Sequence, residues 1–109
     1  TTGGASNSII ANITGDSNIN TIAVSGGGSN GITLTQTTSN ADATFTVVGA
    51  SNTINLTQTG VAGTTGHTFV YSLTGSSNSM TATQTGTIDT TVNVLSAGSG
   101  NTWNITTGN

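Results

Sequence analysis

The chain repeats a ten-residue phrase in which hydrophobic and polar positions alternate. Its clearest copy is SNTINLTQTG at residues 51–60, and close copies are SNGITLTQTT from residue 29 and SNSMTATQTG from residue 77. Weaker copies lie near the start, ASNSIIANITG, and at the end, GNTWNITTGN. Every second residue shares a side, which is the period of a β-strand and not of an α-helix. The phrase therefore predicts five strands, each with one buried face.

These five strands have equivalent inward positions, and each stripe begins with an asparagine. The predicted stripes are Asn7, Ile9, Ala11 and Ile13; Asn30, Ile32, Leu34 and Gln36; Asn52, Ile54, Leu56 and Gln58; Asn78, Met80, Ala82 and Gln84; and Asn101, Trp103, Ile105 and Thr107. The five asparagines are 23, 22, 26 and 23 residues apart. A unit copied at such a period is the signature of a repeat protein.

A second kind of strand, richer in large apolar side chains, lies between successive copies of the phrase. Its first three inward stripes are Asn18, Asn20, Ile22 and Val24; Ala41, Ala43, Phe45 and Val47; and His67, Phe69, Tyr71 and Leu73.

The inward stripe of the fourth such strand has two solutions. Hydrophobicity favours Ile88, Thr90, Val92 and Val94, whereas the loop spacing of the other units favours Asp89, Thr91, Asn93 and Leu95. We expect the first set, because burying an unpaired aspartate costs more than adding one residue to a loop.

Nine strands of two alternating kinds predict an all-β fold, a two-sheet β-solenoid of about 4.5 coils without α-helix. We expect one domain over residues 1–109, with units starting near residues 6, 29, 51, 77 and 100. Short turns rich in glycine, serine and asparagine separate the strands. The exception is the segment Thr59 to Gly66, which predicts a longer surface loop and a candidate site of binding specificity, or an insertion without a role.

Inward amide side chains are satisfied when they stack. Coils about 4.8 Å apart let each amide donate to one copy and accept from the other. We therefore expect two amide ladders, with Ile13 and Thr107 ending the second: Asn7, Asn30, Asn52, Asn78 and Asn101; and Gln36, Gln58 and Gln84.

The amino-acid composition argues against several classes of binding partner and of chemical site. The chain has no lysine or arginine and only three acidic residues, so we expect no binding to nucleic acid or to an anionic membrane surface. There is no cysteine for a disulfide or zinc site. Residues 1–109 contain no long apolar run and no basic leader, so we expect no membrane insertion, and removal of a signal peptide or upstream region stays open. The same composition is typical of disordered linkers, but a linker would not keep this alternation in register over nine segments.

No catalytic, cofactor-binding or metal-binding constellation emerges from the sequence. His67 is the single histidine, and its register favours a structural role. The aspartates Asp16, Asp42 and Asp89 are too far apart in the pattern to hold a metal or to form an acid–base pair. We therefore expect no enzyme.

The outward faces carry two features that suggest contacts. Asparagine-x-threonine sequons make Asn12, Asn55 and Asn104 candidate N-glycosylation sites. Rows of outward threonines form a hydroxyl surface that suits carbohydrate or a second sheet, although solvated β-formers are the ordinary explanation. These residues are Thr33, Thr35, Thr53, Thr57, Thr81 and Thr83.

The repeat resembles the curlin repeat of the major curli subunit, a secreted bacterial protein of amyloid fibres. Asn52, Ile54, Leu56, Gln58 and Gly60 match its pattern, as do Asn78, Gln84 and Gly86, although the second strand of each unit lacks the usual glutamine. The resemblance implies a self-assembling, extracellular or cell-surface structural protein of a biofilm matrix. Similar degenerate repeats occur in phage fibre proteins, which leaves a virion segment that binds a host surface as the alternative.

The strand count also predicts assembly. Nine alternating strands begin and end on the same sheet, so both ends of the solenoid expose strand edges that recruit partners. Trp103 lies inward on the last strand, where we expect another chain or a flanking segment to cover it. Direct head-to-tail stacking would leave a one-strand gap in the second sheet, to be filled by a flanking segment, by a strand of another chain or by an offset between subunits.

Overall fold

A computed structural model describes residues 6–60 and 66–108 of the chain. These residues form nine strands and no helix, which confirms the all-β prediction. The strands are β1 (Ser8–Thr14), β2 (Ile19–Ser25), β3 (Gly31–Thr37), β4 (Asp42–Val48), β5 (Thr53–Thr59), β6 (Thr68–Thr74), β7 (Ser79–Gln84), β8 (Thr91–Ala97) and β9 (Thr102–Thr107).

The strands stack into two parallel sheets. The first sheet has the order β1-β3-β5-β7-β9 and the second sheet has the order β2-β4-β6-β8. Each strand pairs with the strand two places further along the chain, so the backbone winds as a β-solenoid of about four and a half coils. The predicted two-sheet solenoid and its repeat of about 23 residues are therefore confirmed.

Like residues lie above like residues in the first sheet. Ile32 pairs with Ile54, Leu34 with Leu56 and Gln36 with Gln58. Apart from Ile10, the outer face of this sheet is polar, so a one-residue slip would bring threonines into the core and hydrophobic side chains into solvent. The alternation of the ten-residue phrase thus fixes the register.

The core lies between the sheets and contains a row of aromatic side chains. Phe45 and Phe69 have ring centroids 5.7 Å apart, and Phe69 and Tyr71 are 6.2 Å apart. Tyr71 then meets Trp103 of the first sheet edge-on at 6.3 Å. The middle coils are fully covered, whereas Trp103 at the end of the stack is only half-buried.

Two predicted inward stripes do not lie as expected. Ile9, Ala11 and Ile13 of β1 are exposed, against our prediction of burial, because no described strand covers that end of the stack. In the second sheet Val92 is buried and Val94 half-buried, as expected, while Leu95 is exposed.

Ile88 is the incorrect member of the preferred stripe, since it is 61% exposed and precedes β8. Pairing of Tyr71 with Val94 and of Leu73 with Ser96 moves the strand two residues further along the chain. The buried stripe consequently ends on Ser96, and Ile88 belongs to the connection that leads into β8.

Four corners of the solenoid share one backbone conformation. Each begins with a glycine at φ of 115–123°, followed two residues later by a residue in the left-handed region and then by an inward asparagine. They span residues 15–18, 49–52, 75–78 and 98–101. A Cβ at Gly75 would overlap the carbonyl oxygen of Gly98 in the next coil, whereas a Cβ at Gly98 would meet only Asn101 Nδ2 at 3.5 Å. Glycine is thus required at position 75 both by the turn and by the stacked coil, and at position 98 by the turn alone.

Candidate functional site

The five asparagines of the first sheet form one hydrogen-bonded column. Asn30 Nδ2 donates to Asn7 Oδ1 at 3.0 Å, and Asn52 Nδ2 donates to Asn30 Oδ1 at 3.1 Å. Asn78 and Asn101 continue this pattern at 3.1 and 3.2 Å. Each of these oxygens also accepts the backbone N–H of the next asparagine. Donors in this asparagine ladder therefore face the amino-terminal end of the stack.

The corners complete the hydrogen bonding of the three middle asparagines, Asn30, Asn52 and Asn78. Asn52 Nδ2 donates to the Gly75 carbonyl at 3.0 Å, and Asn78 Nδ2 donates in the same way to Gly98. Both side chains are buried, so unpaired amides here would cost free energy. Corner glycines and inward asparagines thus form one repeated unit.

The three glutamines form a second column with the opposite direction. Gln36 Nε2 donates to Gln58 Oε1 at 2.7 Å, and Gln58 Nε2 donates to Gln84 Oε1 at 2.8 Å. All three side chains are fully buried. Donors in this glutamine ladder face the carboxyl-terminal end of the stack.

Asn20 of β2 and Thr90, which precedes β8, lie at the two ends of the glutamine ladder, and sequence reasoning missed both. Asn20 Nδ2 donates to Gln36 Oε1 at 2.8 Å, and Gln84 Nε2 donates to Thr90 Oγ1 at 3.1 Å. Ile13 and Thr107 occupy the expected strand register beside the column, and the Thr107 hydroxyl lies 3.3 Å from Thr90 Oγ1. The residue that begins the ladder is therefore Asn20, from the opposite sheet.

Asn18 has an inward position in the sequence pattern, but the pattern did not predict that it bonds like a ladder asparagine. Its Oδ1 accepts the Ala41 N–H at 2.8 Å and its Nδ2 donates to the Thr38 carbonyl at 3.0 Å. These are the bonds that ladder asparagines make with the next coil. Its corner, Gly15-Asp16-Ser17-Asn18, carries the same sequence signal as the corners of the asparagine ladder.

At the carboxyl-terminal end, β8 and β9 present strand edges. The first N–H of each earlier first-sheet strand donates to a carbonyl one coil further on, as Ser79 does to Asn101 at 2.8 Å. In the second sheet, Thr68 donates likewise to Thr90 at 2.8 Å. Thr102 and Thr91 hold the same positions in β9 and β8, and no described residue lies beyond them to accept their N–H. We call this surface the carboxyl-terminal end face.

At the amino-terminal end, β1 and β2 present the other edges, and we call them the amino-terminal end face. Ile13 is 45% exposed there, which leaves an apolar side chain of the inward stripe in contact with solvent. Asn20 Oδ1 is buried without a hydrogen-bond partner in the described chain. The two end faces thus leave both backbone and side-chain groups unsatisfied, whereas in the middle of the stack the buried Tyr71 hydroxyl is the side-chain group without a partner among the described residues.

The single histidine, His67, has the environment of a structural residue. His67 is buried, with Nδ1 3.0 Å from Thr90 Oγ1 and Nε2 3.3 Å from the Thr59 carbonyl.

Among residues 6–60 and 66–108 no cluster of three potential metal ligands and no pocket is found. The described chain also contains no helix of the length and apolarity needed to cross a bilayer. The centre of the predicted loop between Gln58 and His67, residues 61–65, lies outside the described residues.

The sequons and the threonine rows lie on outer faces. Asn12, Asn55 and Asn104 are exposed on β1, β5 and β9. Stacking aligns the threonines into columns, in which Thr35, Thr57, Thr83 and Thr106 occupy one register position. This column gives the first sheet a regular uncharged hydroxyl surface.

No protein-family model, no curated protein and no solved structure matches this chain. The functional conclusion therefore rests on the solenoid, its amide ladders and its two end faces.

Proposed function

We propose that this protein is a non-enzymatic structural subunit that stacks end to end with copies of itself into a fibre. The observation that carries the proposal is the pair of end faces. There, unpaired parallel strand edges and ladder atoms can continue the strand pairing and the ladder hydrogen bonds with another copy. Asn101 Oδ1, for example, accepts no hydrogen bond from the described residues, although each equivalent oxygen in the earlier coils accepts two. A second chain with the same repeat supplies matching donors.

The setting we propose is an extracellular filament of the curli-like, amyloid-like kind at a cell surface or in a biofilm matrix. The resemblance of the repeat to curlin supports this setting, as does the parallel stacking of nearly identical coils. Such stacking gives the in-register strands and amide ladders that make cross-β fibres stable. With a net charge of −3 and no cation, copies repel one another weakly, and salt screens that repulsion.

The direct experiment follows the purified chain as its concentration is raised. We expect unbranched fibres by electron microscopy, with a meridional diffraction spacing of about 4.8 Å. Trp103 is the single tryptophan, so its emission should shift to shorter wavelength as neighbouring chains cover it. A chain that remains monomeric at high concentration, with unchanged Trp103 emission, contradicts the proposal.

Thr102→Pro is a variant that separates folding from stacking. Proline at the first residue of an edge strand removes an N–H that makes no bond within the described chain. We expect the variant to fold and to lose fibre formation. Thr53→Pro is the control, since the Thr53 N–H donates to the Asn78 carbonyl at 2.8 Å and its removal should destabilise the monomer.

A second candidate function is a segment of a virion fibre that presents the first sheet to host carbohydrate. The aligned threonine column on that sheet favours it, because a flat row of hydroxyls can exchange hydrogen bonds with sugar hydroxyls. Binding of the purified monomer to a glycan array, lost when Thr57 and Thr83 become valine, would favour this role. Absence of binding to any glycan would exclude it.

A further inference from the structure

We propose that neighbouring copies in the fibre are related by a half-turn about its axis, so that the two sheets exchange places at every junction. This inference rests on the proposed function and specifies its interface. The amino-terminal end face of a second copy then docks on the carboxyl-terminal end face with β1 beside β8 and β2 beside β9.

The odd number of strands is the first reason. Within the described chain the first sheet has five strands and the second has four. Direct stacking would place β1 of the second copy beside β9 and leave a one-strand gap between β8 and the next β2. After a half-turn, β1 fills that gap and β2 covers β9. Both edges of the carboxyl-terminal end face are then paired, and the coil continues without interruption.

The corners give the second reason and set the register. Corner 98–101 ends the column formed by corners 49–52 and 75–78. Corner 15–18 has the same conformation, since Gly15 and Gly98 have φ of 117° and 115°, yet it stands on the other side of the coil. A half-turn brings corner 15–18 of the second copy onto corner 98–101.

In that register the asparagine ladder continues. Asn18 of the second copy follows Asn101, with its N–H and Nδ2 beside Asn101 Oδ1. No acceptor for the Asn18 N–H lies among the described residues, and Asn18 already makes the ladder bonds to the coil above it. Asn18 thus has the bonding of a ladder residue, and its ladder neighbour on the amino-terminal side is Asn101 of another chain.

Asp16 extends a second set of corner bonds. Ala50 N–H donates to Ser76 Oγ at 3.1 Å, and Ser76 N–H donates to Ser99 Oγ at 3.0 Å. The next donor in this series is the Ser99 N–H. In the docked register, Asp16 of the second copy lies opposite the Ser99 N–H. Its carboxylate is a strong acceptor for a backbone N–H. This contact gives the aspartate a role in a chain that has only three acidic residues.

Trp103 and Asn20 supply complementary side chains. In the docked register Asn20 of the second copy follows Trp103, because Asn18 follows Asn101 and inward residues alternate. The indole N–H is a donor only, and Asn20 Oδ1 is a buried acceptor without a partner. Direct stacking would instead place Ile9 beside Trp103 and leave Asn20 Oδ1 over the gap.

Cysteine cross-linking in assembled fibres tests the junction, since the chain has no cysteine of its own. A half-turn places Ala23 of one copy beside Thr106 of the other, with Cα atoms about 4.8 Å apart, which suits a disulfide. Direct stacking places Asn12 beside Thr106 instead. All three are exposed, and β1 and β2 lie at the opposite end of the stack from β9, so a disulfide reports contact between chains.

We expect the Ala23→Cys/Thr106→Cys chain to form disulfide-linked multimers under oxidation, and the Asn12→Cys/Thr106→Cys chain to remain uncrosslinked. The reverse pattern, or fibres cross-linked by neither pair, overturns the half-turn while leaving the proposed function intact. A chain that forms no fibre overturns both.

Two further measurements keep the test independent of the cysteines. Thr91→Pro removes an edge N–H of β8 that only the half-turn uses, so we expect it to stop assembly, whereas unchanged assembly would support direct stacking. A helical reconstruction of unmodified fibres should give a rise of about 22 Å per chain, from 4.5 coils at about 4.8 Å each, and a rotation near half a turn beyond the solenoid's own twist. A rotation near zero contradicts the inference.

Discussion

Replacing Gln58 by leucine tests whether the buried glutamine ladder stabilises the fold. The substitution removes the donor to Gln84 Oε1 at 2.8 Å and the acceptor for Gln36 Nε2 at 2.7 Å. Gln84 Oε1 would then be a buried acceptor without its donor, at a cost of about 1–3 kcal/mol, and the lost bond of Gln36 adds about 0.5–1.5 kcal/mol. Gln36 Nε2 keeps a weaker bond to the Ala41 carbonyl at 3.3 Å.

Leucine offsets part of this loss. It replaces the terminal amide by two methyl groups, which contribute about 0.8 kcal/mol each when buried. At the middle of these ranges, the net expectation is a decrease of about 1.5 kcal/mol in the free energy of unfolding. Denaturant unfolding at a concentration that keeps the protein monomeric measures this value, with a melting temperature lower by about 4 °C per kcal/mol.

Asn55→Leu is the matched control, because Asn55 lies on the same strand but is exposed and outside the ladder. We expect its free energy of unfolding to change by less than about 0.5 kcal/mol. The double variant Gln58→Leu/Gln84→Leu should cost less than the two single variants added together, since it leaves fewer stranded amides. If Gln58→Leu is as stable as the parent and keeps the same solenoid, the ladder account is wrong.

Two other perturbations act on the corners and the core. Gly75→Ala should destabilise the monomer more than Gly98→Ala: both residues have positive φ, but only a Cβ at Gly75 overlaps the next coil, and equal losses in urea unfolding would refute the corner stacking. Burial raises the pKa of Tyr71 from 10.0 to about 12. The neutral phenol is therefore favoured in the folded state, and its contribution to stability is complete below pH 10 and lost as the pH rises through 12. Phenolate absorbance reports this single tyrosine directly, and ionisation at pH 10 in the folded protein would contradict its burial.

The middle of the solenoid was predictable because its stripes obey one rule. Ile54, Leu56 and Gln58 alternate with polar residues, and their copies in the neighbouring coils fix both the buried face and the register. Parallel in-register stacking then brings like residues together. The alternation alone was enough to place the inward amides in columns.

Some residues differ from the sequence prediction for physical reasons that the alternation of polar and apolar residues does not show. Hydrophobicity predicts that Ile88 faces inward, but the pairing of Val92 with Phe69 sets where β8 begins and leaves Ile88 exposed before it. Ile9 and Ile13 occupy inward positions in the alternation but remain exposed, because alternation does not show whether a strand lies at the end of a stack. Alternation predicts that Asn20 faces inward but gives it no partner, since its bond to Gln36 crosses between the sheets.

Amide hydrogen exchange before and after assembly tests end-to-end stacking most directly. In the monomer, the N–H groups of Thr91 and Thr102 should exchange rapidly, while the Thr53 N–H, bonded to the Asn78 carbonyl, should be protected. In the fibre we expect Thr91 and Thr102 to become as protected as Thr53. Fibres in which both edge positions still exchange at the monomer rate would contradict stacking through the end faces.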